Sequence, residues 1–533
     1  MIPPHASRPR PARHAMSVVL ALSALTTAGR CAEVAARDTA PRFDPTWESL
    51  QRYRCPDWFR DAKFGIYTHW GIYAVPQFSN EWYSRNMYQP AHKAHAHHVE
   101  RFGPVDKFGY KDFIPRFTAD KFNADEWAEL FRRAGARFAG PVAEHADGFA
   151  MWDSALTKWD AKDMGPKRDV VGELAQAIRR RGLKFATSLH HSWLWGWYAT
   201  PDQTADIHDP RYADFYGRDL PTTAFKMNPE PPPDAAFCER WLAKTKELID
   251  RYSPDLLYFD TKLHIIPEQF RLEMVSHYYN HAAARRQPVV LTYKKEDLQA
   301  GSAVLDVERG RMATIQPSPW MTDTSVARNS WGYVAELDYY TADRLVHDLV
   351  DIVSKNGCLL LNVAPRPDGT IPEEQRQRLL AIGRWLEVNG EAIYGTRPWR
   401  IFGEGPTKIE EGSFGDLKLK DFTAEDIRFT IKGDALFAIA LGWPAKAQRG
   451  ETRQMANERL PASDGLTRSA TGTLSIRSLG RSALPERITG VQLLGQRGDL
   501  KFTQTDEALT IDLPPTPPGD YAYGFKISRS QER

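Results

Sequence analysis

From residue 37 to about residue 400, short runs of consecutive apolar residues alternate with longer stretches whose apolar positions recur every three or four residues. The runs at 64–68, 138–142, 184–189, 256–259, 288–292 and 358–363 have the length and composition of strands buried on both faces. The stretches at 170–181 and 238–252 carry the period of amphipathic helices. Strand–helix alternation makes successive strands parallel, and over this length it predicts an α/β fold of the (β/α)8-like TIM barrel type. An open, doubly wound sheet is the other arrangement of such units, but no Gly-rich loop follows the first strand. Polar residues stand at the C-terminal ends of these strands, namely His69, His145, His190, Asp260 and Glu296. A barrel carries its chemistry at those ends.

The pattern changes after Trp399. Short alternating segments at 427–431, 436–441, 472–476, 490–494, 500–502 and 509–513 are separated by Gly, Pro and Asp, which predicts a C-terminal antiparallel β-sandwich over 401–533. The polar, Arg-rich stretch 445–470 reads as a long surface loop, and the Pro-rich stretch 229–233 as a barrel loop near the mouth. At the N-terminus a basic stretch (Arg8, Arg10, Arg13) precedes an apolar run at 17–28 and small residues around Ala35 and Ala36. That is the layout of a cleavable export signal over 1–36, with Met16 as an alternative start, and the run is too short to span a bilayer comfortably. The expected organisation is therefore signal 1–36, barrel 37–400 and sandwich 401–533, in a protein that is exported to the periplasm or beyond and holds to no membrane after cleavage.

Composition narrows the function classes. The 70 basic and 68 acidic residues nearly cancel, which gives no basis for nucleic-acid or anionic-membrane binding. Once Cys31 leaves with the signal, Cys55, Cys238 and Cys358 remain; an odd count without close spacing fits neither a disulfide framework nor a Cys-based zinc site. Aromatic residues are plentiful (16 Trp, 20 Tyr, 25 Phe), and rings beside polar catalytic groups can stack on the apolar faces of sugars.

Candidate chemistry begins with His69-Trp70-Gly71 and Glu81-Trp82-Tyr83, which combine hydroxyl-binding groups with an apolar wall. His145 ends the strand 138–142 inside Glu144-His145-Ala146-Asp147-Gly148-Phe149. His-x-Asp can ligate a metal, but His92, His95, His97 and His98 nearby lack ordered spacing, so no metal is expected. The sharpest feature is Ser253-Pro254-Asp255-Leu256-Leu257-Tyr258-Phe259-Asp260, an apolar strand ending abruptly in a carboxylate. Burying an unpaired charge is expensive, so a purely structural Asp260 needs a cationic partner, for which Lys262 is available. Glycoside hydrolysis needs a second carboxyl to protonate the departing oxygen. Glu296, Asp306 and Glu308 are the candidates. Glu296 follows Lys294-Lys295, which reads as an ordinary charged loop, and Arg309 beside Glu308 would lower the pKa that an acid catalyst needs raised.

Taken together, the segments 58–73, 80–88, 144–149, 152–154, 167–169, 181–185, 254–260, 330–333 and 349–399 resemble, in order, the alpha-L-fucosidases of glycoside hydrolase family 29. The resemblance implies a (β/α) barrel with a C-terminal β-sandwich, no metal or other cofactor, and retention of configuration through a fucosyl-enzyme intermediate. It implies that Asp260 is the nucleophile, that His69, Glu81, Trp82 and His145 hold fucose, that His190 or His191 fills a strand-end position, and that Tyr258 and Trp331 line the sugar. Glu308 is taken as the acid/base. Ala146 stands where members usually carry a second His, a lost hydroxyl donor for which His191 is one replacement. The expected partner is a fucosylated oligosaccharide or polysaccharide. A hydrolase of a related sugar such as an alpha-L-galactoside, and a fucose-binding protein without catalysis, are the competing readings.

Overall fold

The computed structural model describes residues 42–217, 231–417, 420–444 and 472–530. The expected signal 1–36 with Cys31, the loop 445–470 and residues 229–230 of the Pro-rich stretch lie outside the described residues. Eight parallel strands close a barrel in chain order: β1 (Phe64–Thr68), β2 (Phe138–Glu144), β3 (Lys184–Leu189), β4 (Leu256–Phe259), β5 (Val290–Lys294), β6 (Val304–Asp306), β7 (Trp320–Ser325) and β8 (Gly357–Val363). Closure is by β1 against β8, with Phe64 opposite Leu359 and Thr68 opposite Val363. Close packing in the barrel wall demands a glycine at 140, where a Cβ would sit 1.5 Å from the Ala186 carbonyl oxygen.

Helices sheath the barrel, and their ends follow local chemistry. Asn123 caps Ala124–Arg133 by accepting from the amides of Asp125 and Glu126; acidic residues fill the first turn of that helix and arginines the last. Asp169 and Asp234 cap Val170–Arg180 and Ala235–Tyr252 in the same way. The sequence pattern located six of the eight strands. It missed β6 and β7 because β6 is only three residues long and β7, Trp-Met-Thr-Asp-Thr-Ser, is polar although wholly buried. Asp323 of β7 faces charged groups rather than an apolar core.

Beyond the barrel, β9 (Arg397–Glu404), β10 (Ile427–Lys432), β11 (Ala435–Ala440), β13 (Ile488–Leu493) and β16 (Tyr523–Arg529) form one antiparallel sheet in the order β13-β16-β11-β10-β9. A second sheet is ordered β12 (Thr473–Ile476), β15 (Leu509–Asp512), β14 (Phe502–Gln504). Phe429, Leu436, Val491 and Phe525 of the first sheet share one core with Leu474, Ile476, Leu509 and Ile511 of the second, which makes the pair a sandwich. Strand β9 places the first sandwich residue at Arg397, slightly ahead of the boundary expected from composition.

Strand β11 is buried on both faces. Leu436, Ala438 and Ala440 point into the sandwich, whereas Phe437 and Ile439 join the barrel core together with Leu441, Phe422 and Ala522. Buried ions cross the same seam: Arg428 of β10 lies 2.6 Å from Asp351, which also pairs with Lys355 at 2.9 Å. Cys55, Cys238 and Cys358 are free thiols, the last two buried. Among the described residues no helix is long and apolar enough to cross a membrane.

Candidate active site

Side chains alternate along a strand, so each barrel strand delivers its inward residue at the C-terminal rim. Strand β1 supplies Tyr67 and His69, β2 His145, β3 His190, β4 Tyr258 and Asp260, and β5 Lys294; β6 supplies Asp306 and Glu308, and β7 Asp323. Most of these groups converge on a cavity of about 230 Å³, to which loops add Glu81, Trp82, Trp193, Thr261, Trp331 and Phe414.

One half of the cavity is an ionic cluster. The Lys294 ammonium lies 3.2 Å from Asp306, 3.2 Å from Asp323, 3.3 Å from Glu308 and 3.7 Å from Asp260. Burial alone would discharge this lysine, but the surrounding carboxylates hold its pKa well above the ordinary value. Four acids around one cation cannot all stay ionised, and the geometry sorts them. Burial and the neighbouring Asp323 push Asp306 well above the usual carboxylate range. Asp323 opposes its own burial with Lys294 and with the Tyr67 hydroxyl, which donates at 2.8 Å, and is held below the usual range. Tyr258 also donates to Asp323, at 3.3 Å.

The remaining two acids are pushed apart in the same way. Burial raises Asp260, but His190, whose Nδ1 lies 3.4 Å away, together with Lys294 and the Thr261 amide, outweighs it and keeps the carboxylate below its ordinary value. Glu308 goes the other way: burial, with Asp260 and Asp323 as like charges, overcomes Lys294 and raises it to about 7. Two carboxyls whose environments drive their pKa values in opposite directions suit a nucleophile and an acid. Because both touch one nitrogen, their nearest oxygens are no more than about 7 Å apart, within reach of the ~5–5.5 Å spacing of retaining glycosidases.

The other half is built for hydroxyl groups. Asn362 of β8 donates through Nδ2 to the Trp331 carbonyl at 2.8 Å, which fixes its amide, and its Oδ1 accepts from the His69 backbone amide and ring Nδ1 at 2.9 Å. His69 is therefore protonated on Nδ1, and burial, then the neighbouring His190, lowers its pKa to about 3. Its Nε2 is left as an acceptor. His145 is likewise held neutral by burial, and its ring centroid lies 4.9 Å from that of His190 and 5.6 Å from that of His69. Glu81 is positioned by the Trp331 amide, which donates to it at 2.9 Å. Trp331 lies under the Arg309 guanidinium, 4.5 Å from the ring centroid. Trp82 packs against Trp193 and Trp197.

A segment from beyond the barrel closes this rim. The backbones of Gly412 and Arg311 exchange hydrogen bonds, and the amide of Phe414 donates to the Glu308 carbonyl at 2.9 Å. Asp416 receives the Arg309 guanidinium at 3.2 Å and the Thr324 hydroxyl at 2.7 Å.

Of the residues expected from sequence, His69, Glu81, Trp82, His145, His190, Tyr258, Asp260, Glu308 and Trp331 line this one cavity. His191 does not. It follows the inward His190, turns outward, stacks on Trp241 with ring planes at 13° and lines a separate cavity, so it cannot stand in for the His absent at Ala146. Glu296 is exposed beyond the end of β5. Arg309 is engaged with Asp416 rather than Glu308, so the expected lowering of Glu308 does not occur. Lys262, the partner considered for Asp260, lies instead over the Trp193 ring at 4.6 Å. Lys294, Asp323, Tyr67 and Asn362 were missed as site residues, and Asp306, weighed as an acid catalyst, instead shares the Lys294 ammonium. For Lys294 a signal existed, since it lies two positions beyond the inward Thr292 on β5.

Two groups of described residues bring three metal-type donors within 4.8 Å of one another, His69/His145/His190 in the cavity and Asp250/His277/His281 outside it. In the first, His69 and His190 already direct ring nitrogens at Asn362, Asp260 and Ser188.

The model of the alpha-L-fucosidase family matches residues 30–391, and that of the alpha-L-fucosidase C-terminal domain matches residues 420–528. The tissue alpha-L-fucosidase of Rattus norvegicus is 30% identical over 91% of this chain and 93% of its own length. The plasma alpha-L-fucosidase of Homo sapiens is 33% identical over 77% of this chain and 81% of its own. Among solved structures, Thermotoga maritima alpha-fucosidase in complex with fucose superposes with a TM-score of 0.68 at 28% identity, covering 91% of this chain and all of that one. The same enzyme with a mechanism-based inhibitor gives a TM-score of 0.70. With the barrel, the sandwich and the two family models in agreement, this chain belongs to the alpha-L-fucosidase family.

Proposed function

We propose that this chain is an exo-acting, retaining alpha-L-fucosidase in which Asp260 is the nucleophile and Glu308 the acid/base. The observation that carries the reading is the opposite tuning of two carboxyls on one buried ammonium: Asp260 is held ionised while Glu308, raised to about 7, keeps a proton. A carboxylate of Asp260 attacks the anomeric carbon as Glu308 passes its proton to the glycosidic oxygen and the C–O bond breaks. The ester that forms removes the charge of Asp260, one of the charges that raises Glu308. Glu308 then becomes the stronger acid, and its carboxylate takes a proton from the water that attacks the anomeric carbon and frees Asp260.

Fucose is held by the imidazoles of His69, His145 and His190 and by Glu81, against Trp82, Tyr258 and Trp331. The His missing at Ala146 is replaced by His190, whose ring adjoins that of His145. The substrate is a fucosylated oligosaccharide or polysaccharide, met outside the cytoplasm after export through the N-terminal segment. In Asp260→Gly, release of an aryl fucoside's chromophore should fall by about a thousandfold or more, and azide should restore turnover with a fucosyl azide of inverted configuration as product. Undiminished hydrolysis by that variant would remove Asp260 from the mechanism.

A further inference from the structure

Phe414 is 48% exposed, one of few large apolar side chains so placed among the described residues, and it lines the active-site cavity. Its backbone is in the left-handed region, at φ 57°, which an aromatic residue rarely adopts. The conformation is held from outside. On one side Gly412 is tied to Arg311, on the other Asp416 is tied by its amide to the Arg309 carbonyl and by its carboxylate to Arg309 and Thr324, and between them the Phe414 amide is bonded to Glu308. A strained backbone that is fixed at both ends and leaves an aromatic ring half in water is not explained by packing.

The position of the ring supplies the reason. Phe414 and Glu308 leave adjacent, hydrogen-bonded main chains, so the ring stands beside the carboxyl that must face the departing oxygen. Fucose occupies the histidine side of the cavity, and the group attached to it must leave past Glu308. We propose that Phe414 forms a second binding subsite, an aromatic shelf for the leaving group, whose ligand is a pyranose that presents its apolar C–H face to the ring. The shelf is carried by the segment leading into the sandwich and not by a barrel loop, so the C-terminal region takes part in choosing the substrate. This inference rests on Glu308 as the acid.

The test compares kcat/KM on α-L-fucosyl fluoride, whose leaving group has no ring, with that on the disaccharide α-L-fucosyl-(1→2)-galactose, for wild type, Phe414→Ala and Phe414→Tyr. In Phe414→Ala the ratio of disaccharide to fluoride activity should fall about tenfold, chiefly through KM, and Phe414→Tyr should restore it. An equal loss on both substrates would mean that the ring only supports Glu308 or the fold, and no change on either would mean that it touches nothing; both overturn the shelf and leave the fucosidase reading standing. That reading fails separately if wild type hydrolyses neither substrate, or if Glu308→Gln cleaves the disaccharide as fast as wild type, and the shelf then falls with it.

Discussion

Lys294 brings four carboxyls of the barrel rim into contact with one nitrogen and thereby decides which of them carry protons. Replacing it by Met removes the main attraction that keeps Asp323 ionised and, after His190, one of those that keep Asp260 so. Activity in Lys294→Met should drop by about a hundredfold or more, as when a preorganised charge is lost from an active site. The sign of its pH effect is fixed as well. Lys294 lowers Glu308, so without it Glu308 rises further and the alkaline limb of kcat/KM moves upward. The proposed mechanism requires Glu308 protonated and Asp260 ionised in the wild type. Hydrolysis of a disaccharide should therefore be lost as pH rises through about 7, while its acid limb lies below the ordinary carboxylate range. A profile still rising at pH 9 would contradict this assignment. Asp260 was legible in sequence because an acid ended an apolar strand. Lys294 was not, because a Lys-Lys pair normally marks a solvated loop, and only strand parity separates the buried Lys294 from the exposed Lys295.

Elements were legible wherever one environment dictated one pattern. The runs at β1 to β4 and β8 are apolar because both of their faces are packed, and the helices carry their period because only one face is. Strand β7 broke the rule, since its Asp323 is paid for by Lys294 and two tyrosine hydroxyls, none of them near it in sequence. In β11 the signal was present but only half used: apolar residues at both parities in Leu436-Phe437-Ala438-Ile439-Ala440 already imply packing on both faces, against sandwich and barrel. The seam between them depends on Arg428. Arg428→Ala leaves Asp351 buried with Lys355 as its remaining cation, and should cost about 3 kcal/mol, read as a lower urea midpoint for unfolding. An unchanged midpoint would show that the pair adds nothing to the seam.

At the scale of the whole molecule, composition divided the chain into barrel and sandwich, and the structure joins them through a shared core. Phe422, Phe437, Ile439, Leu441 and Ala522 belong to the barrel's own hydrophobic cluster, and Gly412 to Asp416 complete the rim at Glu308. Which residues of the barrel meet β11 was not legible, because contacts between residues distant in the chain leave no local period. A chain ending at residue 396 should accordingly be recovered as aggregate, and a soluble, active fragment would contradict the dependence of the barrel on its partner. The order of strands, the sandwich and the family all bear on one claim, that Asp260 forms the bond to the sugar. The most direct measurement is to trap that bond with a 2-deoxy-2-fluoro-fucosyl fluoride and locate it by peptide mass spectrometry. The account predicts one fluoro-fucosyl group per chain on the peptide containing Asp260, with no label in Asp260→Gly; a label on another carboxylate would contradict it.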